Sequence, residues 1–205
     1  MTELPGGIVY VVIGALAKDQ IDLPALHDAM AKHRGASGWI IDLRFNGGGD
    51  ERMGQALAGM FTDQPMAYAR RQTIDGEGDL GPVVESMLEP VEPALPKWPI
   101  VVLQGRRTMS SVEAFVLIWK AVGATTIGEH TRGSSGNPQP HDLGRGITLY
   151  LPSWVAMDAA GEGFEGTGLA PDWVVPFKPA PSSPDPVLDA AVARLIEPTA
   201  PAESE

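Results

Sequence analysis

The 205-residue chain contains no cysteine. Disulfides and thiolate metal sites are therefore excluded, although the redox compartment stays open. Basic side chains are scarce. There are 15 Lys+Arg against 26 Asp+Glu, for a formal charge of −11. Nucleic acid and anionic membrane surfaces both require a basic footprint, so neither is expected as a partner. No apolar run approaches the roughly 18 residues of a membrane span. The first residues lack a basic segment followed by an apolar core, so no signal peptide is expected, and the compartment is left open. No internal repeat is visible.

Punctuated short apolar runs fill the chain instead. Ile8–Ile13 is β-branched and reads as a buried strand. Asp22-Leu23-Pro24 offers a helix start, and Leu23, Leu26, Ala29 and Met30 carry helical spacing to about His33. Trp39–Leu43 is a second strand, and Met53, Leu57, Met60 and Phe61 mark a second amphipathic helix. Residues 62–97 are broken by Pro65, Gly76, Gly78, Gly81, Pro82, Pro90, Pro93 and Pro96. They read as an irregular surface insertion with one short strand near Met66–Arg70 and a short helix near Val83–Leu88. Further strands are expected at Pro99–Leu103, Thr125–Gly128, Ile147–Leu151 and Ser153–Met157. Helices are expected from Ser110 or Ser111 to Gly123 and over Pro186–Ile196. The alternation predicts an α/β fold with a mixed, largely parallel sheet flanked by crossover helices. One core domain is expected over residues 1–197, with a disordered Pro/Ala/Glu tail at 198–205.

Two loops carry the chemistry. Asp42-Leu43-Arg44-Phe45-Asn46-Gly47-Gly48-Gly49 ends a buried strand in three glycines. Without a Cβ, consecutive amides can aim their N–H groups at one point and stabilise a phosphate or a developing oxyanion. Asp50 and Glu51 follow immediately, and a P-loop's Lys-Ser/Thr pair is absent, so a phosphate cradle is a poor fit. Asp42 and Arg44 read as structural pins of the loop. Thr108-Met109-Ser110-Ser111-Val112-Glu113 places a serine at a helix start, where free amides and the macrodipole favour an alkoxide. Alone, this loop reads first as a helix cap, since Glu113 completes a capping box with Ser110.

Read together, these loops resemble the S41 family of serine peptidases, which spans C-terminal processing proteases, the tricorn core and interphotoreceptor retinoid-binding modules. The resemblance extends to Gly128-Glu129-His130-Thr131-Arg132-Gly133 and to Glu165-Gly166-Thr167-Gly168-Leu169-Ala170-Pro171-Asp172. Four motifs in family order cover most of residues 8–195. The resemblance implies a ClpP/crotonase-like core of repeated ββα-type units. It implies a serine-type peptidase acting on polypeptide through an acyl-enzyme at Ser110, without cofactor or metal. The backbone amides of Gly48 and Ser111, with Gly49 beside them, match the oxyanion hole. A non-catalytic ligand- or peptide-binding module on the same fold is the alternative, and a crotonase-type acyl-CoA enzyme is a remote third.

The general base is harder to find. In the processing-protease branch a lysine follows the glycine turn, but the matching position here is Ser134, and no lysine lies between Lys120 and Lys178. The tricorn-like branch uses a histidine oriented through polar groups that include a late glutamate, and Glu165 stands at that place. That histidine lies upstream of the first strand in the family, so the base, and often a substrate-binding or PDZ domain, is expected outside this chain. Among the four histidines here, His130 is the leading substitute base, ahead of His141, while His27 and His33 fit surface roles. Family members are often periplasmic or extracellular. A homo-oligomer and a separate N-terminal domain both remain open.

Overall fold

The computed structural model describes residues 1–17, 22–177 and 184–196. The expected tail at 198–205 lies outside these residues. The chain begins with β1 (Thr2–Leu4) and β2 (Ile8–Val12), then α1 (Leu23–Ala31), β3 (Gly38–Asp42) and α2 (Glu51–Ala58). A 3₁₀ turn at Gly59–Phe61 extends α2. Next come β4 (Met66–Thr73), β5 (Val84–Leu88), β6 (Ile100–Gln104), α3 (Ser111–Ala121) and β7 (Thr125–Gly128). The C-terminal part holds β8 (Gln139–Asp142), β9 (Thr148–Leu151), β10 (Trp154–Asp158), β11 (Trp173–Val174) and α4 (Pro186–Ile196).

The main sheet has the order β1-β2-β3-β6-β7-β11. β2, β3, β6, β7 and β11 run parallel, and β1 is antiparallel at the edge. Alternation along each strand splits the core into two layers. Trp39, Ile41 and Val102 face one side with Met30, Leu57, Phe115 and Trp119 of the helices α1 to α3. Ile40, Val101 and Leu103 face the other side with Val187 and Ala191 of α4. Burial on both faces explains why β3 and β6 read as continuous apolar runs rather than alternating ones. Trp39 and Trp119 are completely buried, and each such side chain contributes roughly 2–3 kcal/mol of hydrophobic stabilisation. No described helix is long and apolar enough to cross a membrane.

The expected irregular insertion at 62–97 is substantially ordered. β4 and β5 form a three-stranded antiparallel sheet in the order β10-β4-β5. The helix expected near Val83–Leu88 is instead strand β5. Its burial alternates, with Ser86 and Leu88 turned inward. Pairing with β4 at Arg70↔Glu85 and Arg71↔Val84 satisfies its backbone, which a short isolated helix after Pro82 could not do. This second sheet packs against α3 and faces the loops that follow β3 and β6. β8 and β9 form a separate hairpin.

Candidate active site

The loop after β3 is held by charge. Asp42, 2% exposed, accepts from the Arg44 backbone N–H and Nε at 3.0 Å each and from Nη2 at 2.6 Å. The Tyr10 hydroxyl adds a bond of 2.7 Å. Arg44 also donates to Asp185 at 2.8 Å and lies over Phe177 at 4.8 Å. Burial opposes its charge, but the hydrogen bonds to Asp42 and Asp185 outweigh that cost and keep the guanidinium protonated. Burial, reinforced by the Asp42 carboxylate, holds the Tyr10 hydroxyl well above the usual tyrosine range. Asp42 and Arg44 thus pin the loop, as expected of structural residues.

Beyond Arg44, Asn46 is fully buried and donates through Nδ2 to the Ile13 carbonyl at 3.0 Å. Its side-chain oxygen accepts the Gly48 N–H at 2.9 Å. Gly48 and Gly49 have φ of 114° and 140°, where a Cβ would be strained. Leu16 bridges the turn, donating to the Gly48 carbonyl at 3.0 Å and accepting from Asp50 at 2.7 Å. The Gly49 amide makes no hydrogen bond among the described residues.

The loop after β6 is stitched onto this turn. The Thr108 hydroxyl donates to the Leu43 carbonyl at 2.9 Å, Met109 N–H to Asn46 at 3.3 Å, and the Ser111 hydroxyl to the Gly49 carbonyl at 2.8 Å. Ser110 therefore meets the glycine turn directly. A Cβ placed on Gly48 would lie 2.9 Å from the Ser110 Cβ and 3.2 Å from its Oγ. Some sixty residues of sequence separate two groups that touch.

Ser110 sits at φ 63° and ψ −140°, a conformation that costs a non-glycine residue roughly 1–3 kcal/mol. Its N–H donates to the Ser134 carbonyl at 2.9 Å and to Glu113 at 3.2 Å. Glu113 thereby supplies its half of a capping box. On the serine side, the Glu113 N–H goes to the Ser110 carbonyl at 2.8 Å, and no cap hydrogen bond to the hydroxyl meets bonding geometry. The first-turn amide of Ser111 is also without a partner among the described residues.

Glu113 is the organising group of this corner. It is fully buried and has no cation within ion-pair distance among the described residues. Its Oε1 accepts from the Thr131 hydroxyl at 2.6 Å and the Gly133 N–H at 2.7 Å. Its Oε2 accepts from Ser134 N–H at 2.9 Å, the Ser135 hydroxyl at 2.8 Å and Ser110 N–H. Such a set of donors, at the positive end of α3, replaces the hydration lost on burial. The sequence shows Glu113 only as a capping partner, because the donors at 131–135 arrive through tertiary folding.

A cavity of about 440 Å³ opens beside Ser110, lined by Gly49, Ser111, Arg71, Ser135, Trp154 and Phe164, among others. No histidine or lysine lines it among the described residues. His130 is exposed and lines a separate cavity with Arg106 and Glu129, so the structure does not bring this expected base to Ser110. His141 lies on the exposed β8 strand. Glu165 is exposed, and one of its oxygens accepts the Ser135 N–H at 2.8 Å. Arg71 lies just past the strand expected near Met66–Arg70 and Trp154 within the one expected at Ser153–Met157, and only the pairing of β4 with β10 brings the two to this cavity. No described cluster of His, Asp or Glu has the arrangement of a metal site.

Comparison with known proteins agrees with this architecture. The model of peptidase family S41 matches residues 7–175. The chain is similar in structure to a candidate peptidase from Parabacteroides merdae, with 24% identity and a TM-score of 0.84 over 93% of this chain and 62% of that one. It is also similar to mature CPAF complexed with lactacystin (16% identity, TM-score 0.72, 83% of this chain and 47% of that one). A third likeness is to the photosystem II D1 C-terminal processing protease (22% identity, TM-score 0.63, 85% of this chain and 45% of that one). The chain thus spans between 45% and 62% of the length of these structures. At such identities they speak for the fold, a mixed α/β architecture with a largely parallel sheet. The match over residues 7–175 carries the classification: the chain belongs to peptidase family S41.

Proposed function

We propose that residues 1–197 form the core of a serine-type peptidase that cleaves polypeptide through an acyl-enzyme on Ser110. The supporting observation is the contact between Ser110 and the Gly48 turn, flanked by two amides without partners among the described residues, those of Gly49 and Ser111. In this reading Ser110 Oγ attacks the scissile carbonyl and its proton passes to a base. The tetrahedral oxyanion then accepts from the Gly49 and Ser111 N–H groups. Collapse expels the amine, which takes a proton, and water later hydrolyses the ester. Gly48, matched to the family's donor by sequence, is assigned a shaping role here, because its N–H already goes to Asn46. Each of the two donors, Gly49 and Ser111, contributes roughly 3–4 kcal/mol to transition-state binding.

None of the cavity's described side chains is assigned the base. Glu165 is assigned the orienting role for such a base, with one oxygen fixed by Ser135 and the other without a partner among the described residues. The lack of histidine or lysine in the cavity favours a second reading, a non-catalytic peptide-binding module on the same fold. A fluorophosphonate probe applied to the full-length protein separates the two. Covalent labelling that disappears in Ser110→Ala supports the peptidase, and no labelling of the wild type supports the binder.

A further inference from the structure

Within the cavity beside Ser110, Arg71 is positioned unlike the other guanidiniums around it. Arg70 pairs with Glu85 at 3.0 Å, and Arg52, in the first turn of α2, pairs with Asp50 at 2.8 Å. Arg71 has no carboxylate within ion-pair distance among the described residues, in a chain whose formal charge is −11. It is nevertheless held in place. Its Nη1 donates to the hydroxyl of buried Ser86 at 3.1 Å, and its guanidinium lies 5.3 Å from the centroid of Trp154. Trp154 is itself tied to the serine corner, donating its indole N–H to the Ser135 carbonyl at 2.6 Å. Ser135 in turn binds Glu113 and the Ser110 carbonyl through its hydroxyl. The cavity's acids have other partners: Asp50 accepts from Arg52, and Glu51 accepts from the Tyr68 hydroxyl.

We propose that Arg71 is a specificity-determining residue that binds a carboxylate of the peptide lying in the Ser110 cavity. A guanidinium over an aromatic ring, in the wall of an open cavity, is suited to the planar, two-oxygen geometry of a carboxylate. The stacking and the Ser86 bond fix the fork before ligand arrives, so little side-chain entropy is lost on binding. The carboxylate belongs to an Asp or Glu side chain or to a peptide C-terminus, two sources with the same chemistry. This inference rests on the peptide-site reading above and adds a selectivity to it.

The test uses the full-length Ser110→Ala protein and fluorescently labelled, end-capped alanine heptapeptides. Each carries one Glu, or one Gln, at each position in turn, and one further peptide is all-alanine with a free C-terminus. Binding is followed by anisotropy. In one register the Glu peptide binds about tenfold tighter than its Gln counterpart, as one charge-assisted pair would give. A preference for the free-terminus peptide instead assigns the carboxylate to a chain end. Adding Arg71→Gln, which retains a donor for Ser86, removes the preference of Glu over Gln, and Arg71→Lys restores part of it. Equal binding of Glu, Gln and free-terminus peptides, or a preference that survives Arg71→Gln, overturns the proposal and leaves the peptide site standing. Absence of binding by every peptide removes the peptide site and this proposal together.

Discussion

Glu113 shows how one side chain can set the geometry of a whole loop. Its two oxygens collect three backbone N–H groups and two hydroxyls from residues 110–135. Replacing it with glutamine keeps the size but turns one acceptor into an NH₂ facing hydrogen-bond donors. Buried donors left unpaired cost about 1–3 kcal/mol each. Glu113→Gln is therefore expected to lower the unfolding free energy by at least about 2 kcal/mol in urea titrations. It should also abolish probe labelling of Ser110 at temperatures where the variant is still folded. Full labelling with unchanged stability would show that the network is dispensable. Gly48 makes a complementary point, since its lack of a Cβ is what lets the Ser110 Cβ and Oγ come so near.

At the level of elements, the site is built by two strand-to-helix connections that leave neighbouring parallel strands at the same edge of the sheet. β3 feeds α2 and β6 feeds α3, and the two strands are paired directly, Asp42 opposite Leu103. Both helix starts then line the same cavity. For α2 the cap is Asp50, which accepts from the Arg52 N–H at 3.0 Å. Asp50→Ala should cost about 1 kcal/mol of stability, read as a shift in the urea midpoint at unchanged slope. No shift at all would mean that the first turn of α2 is held by packing alone. β4 and β5 belong to this scale as well, because their sheet supplies the far wall of the cavity.

For the molecule as a whole, α4 is locked to the glycine loop through Arg44 and Asp185, whose positions are 141 residues apart. Burial works against the Asp185 charge, but hydrogen bonds from Arg44 and from the Leu188 and Val187 amides prevail, so its carboxyl titrates below the ordinary 3.8. A carboxyl depressed in the folded state binds protons more readily when unfolded. Its contribution is therefore complete above the unfolded value and is lost as pH falls through the folded one. Asp172 behaves alike. Burial opposes its charge, yet bonds from Lys120 and Thr126 hold it low. Unfolding free energy is expected to decline from about pH 5 toward pH 3, with a shallower decline in Asp185→Asn. An identical pH profile in that variant would show that the Arg44 pairing contributes nothing to the closure of α4.

Much of this could be read from the residues alone. The strands expected at Trp39–Leu43 and Pro99–Leu103, found at Gly38–Asp42 and Ile100–Gln104, are legible because two-sided burial demands nearly unbroken apolar runs, and Ile8–Ile13, found at Ile8–Val12, is legible as a β-branched run. The glycine and serine loops are legible because positive φ and helix starts restrict which residues can stand there. The β5 strand was not, since a five-residue segment takes its conformation from its partner, and β4 lies in the same proline-broken stretch. Nor could the order of residues disclose that Glu113 gathers the 131–135 turn, that Asn46 occupies the Gly48 N–H, that His130 opens onto another cavity, or that Arg71 joins Trp154 beside Ser110. Local backbone preference and hydrophobic period are encoded within a few residues of each position. Which polar groups meet is decided only when distant segments pack, because hydrogen bonds and ion pairs form across space rather than along the chain.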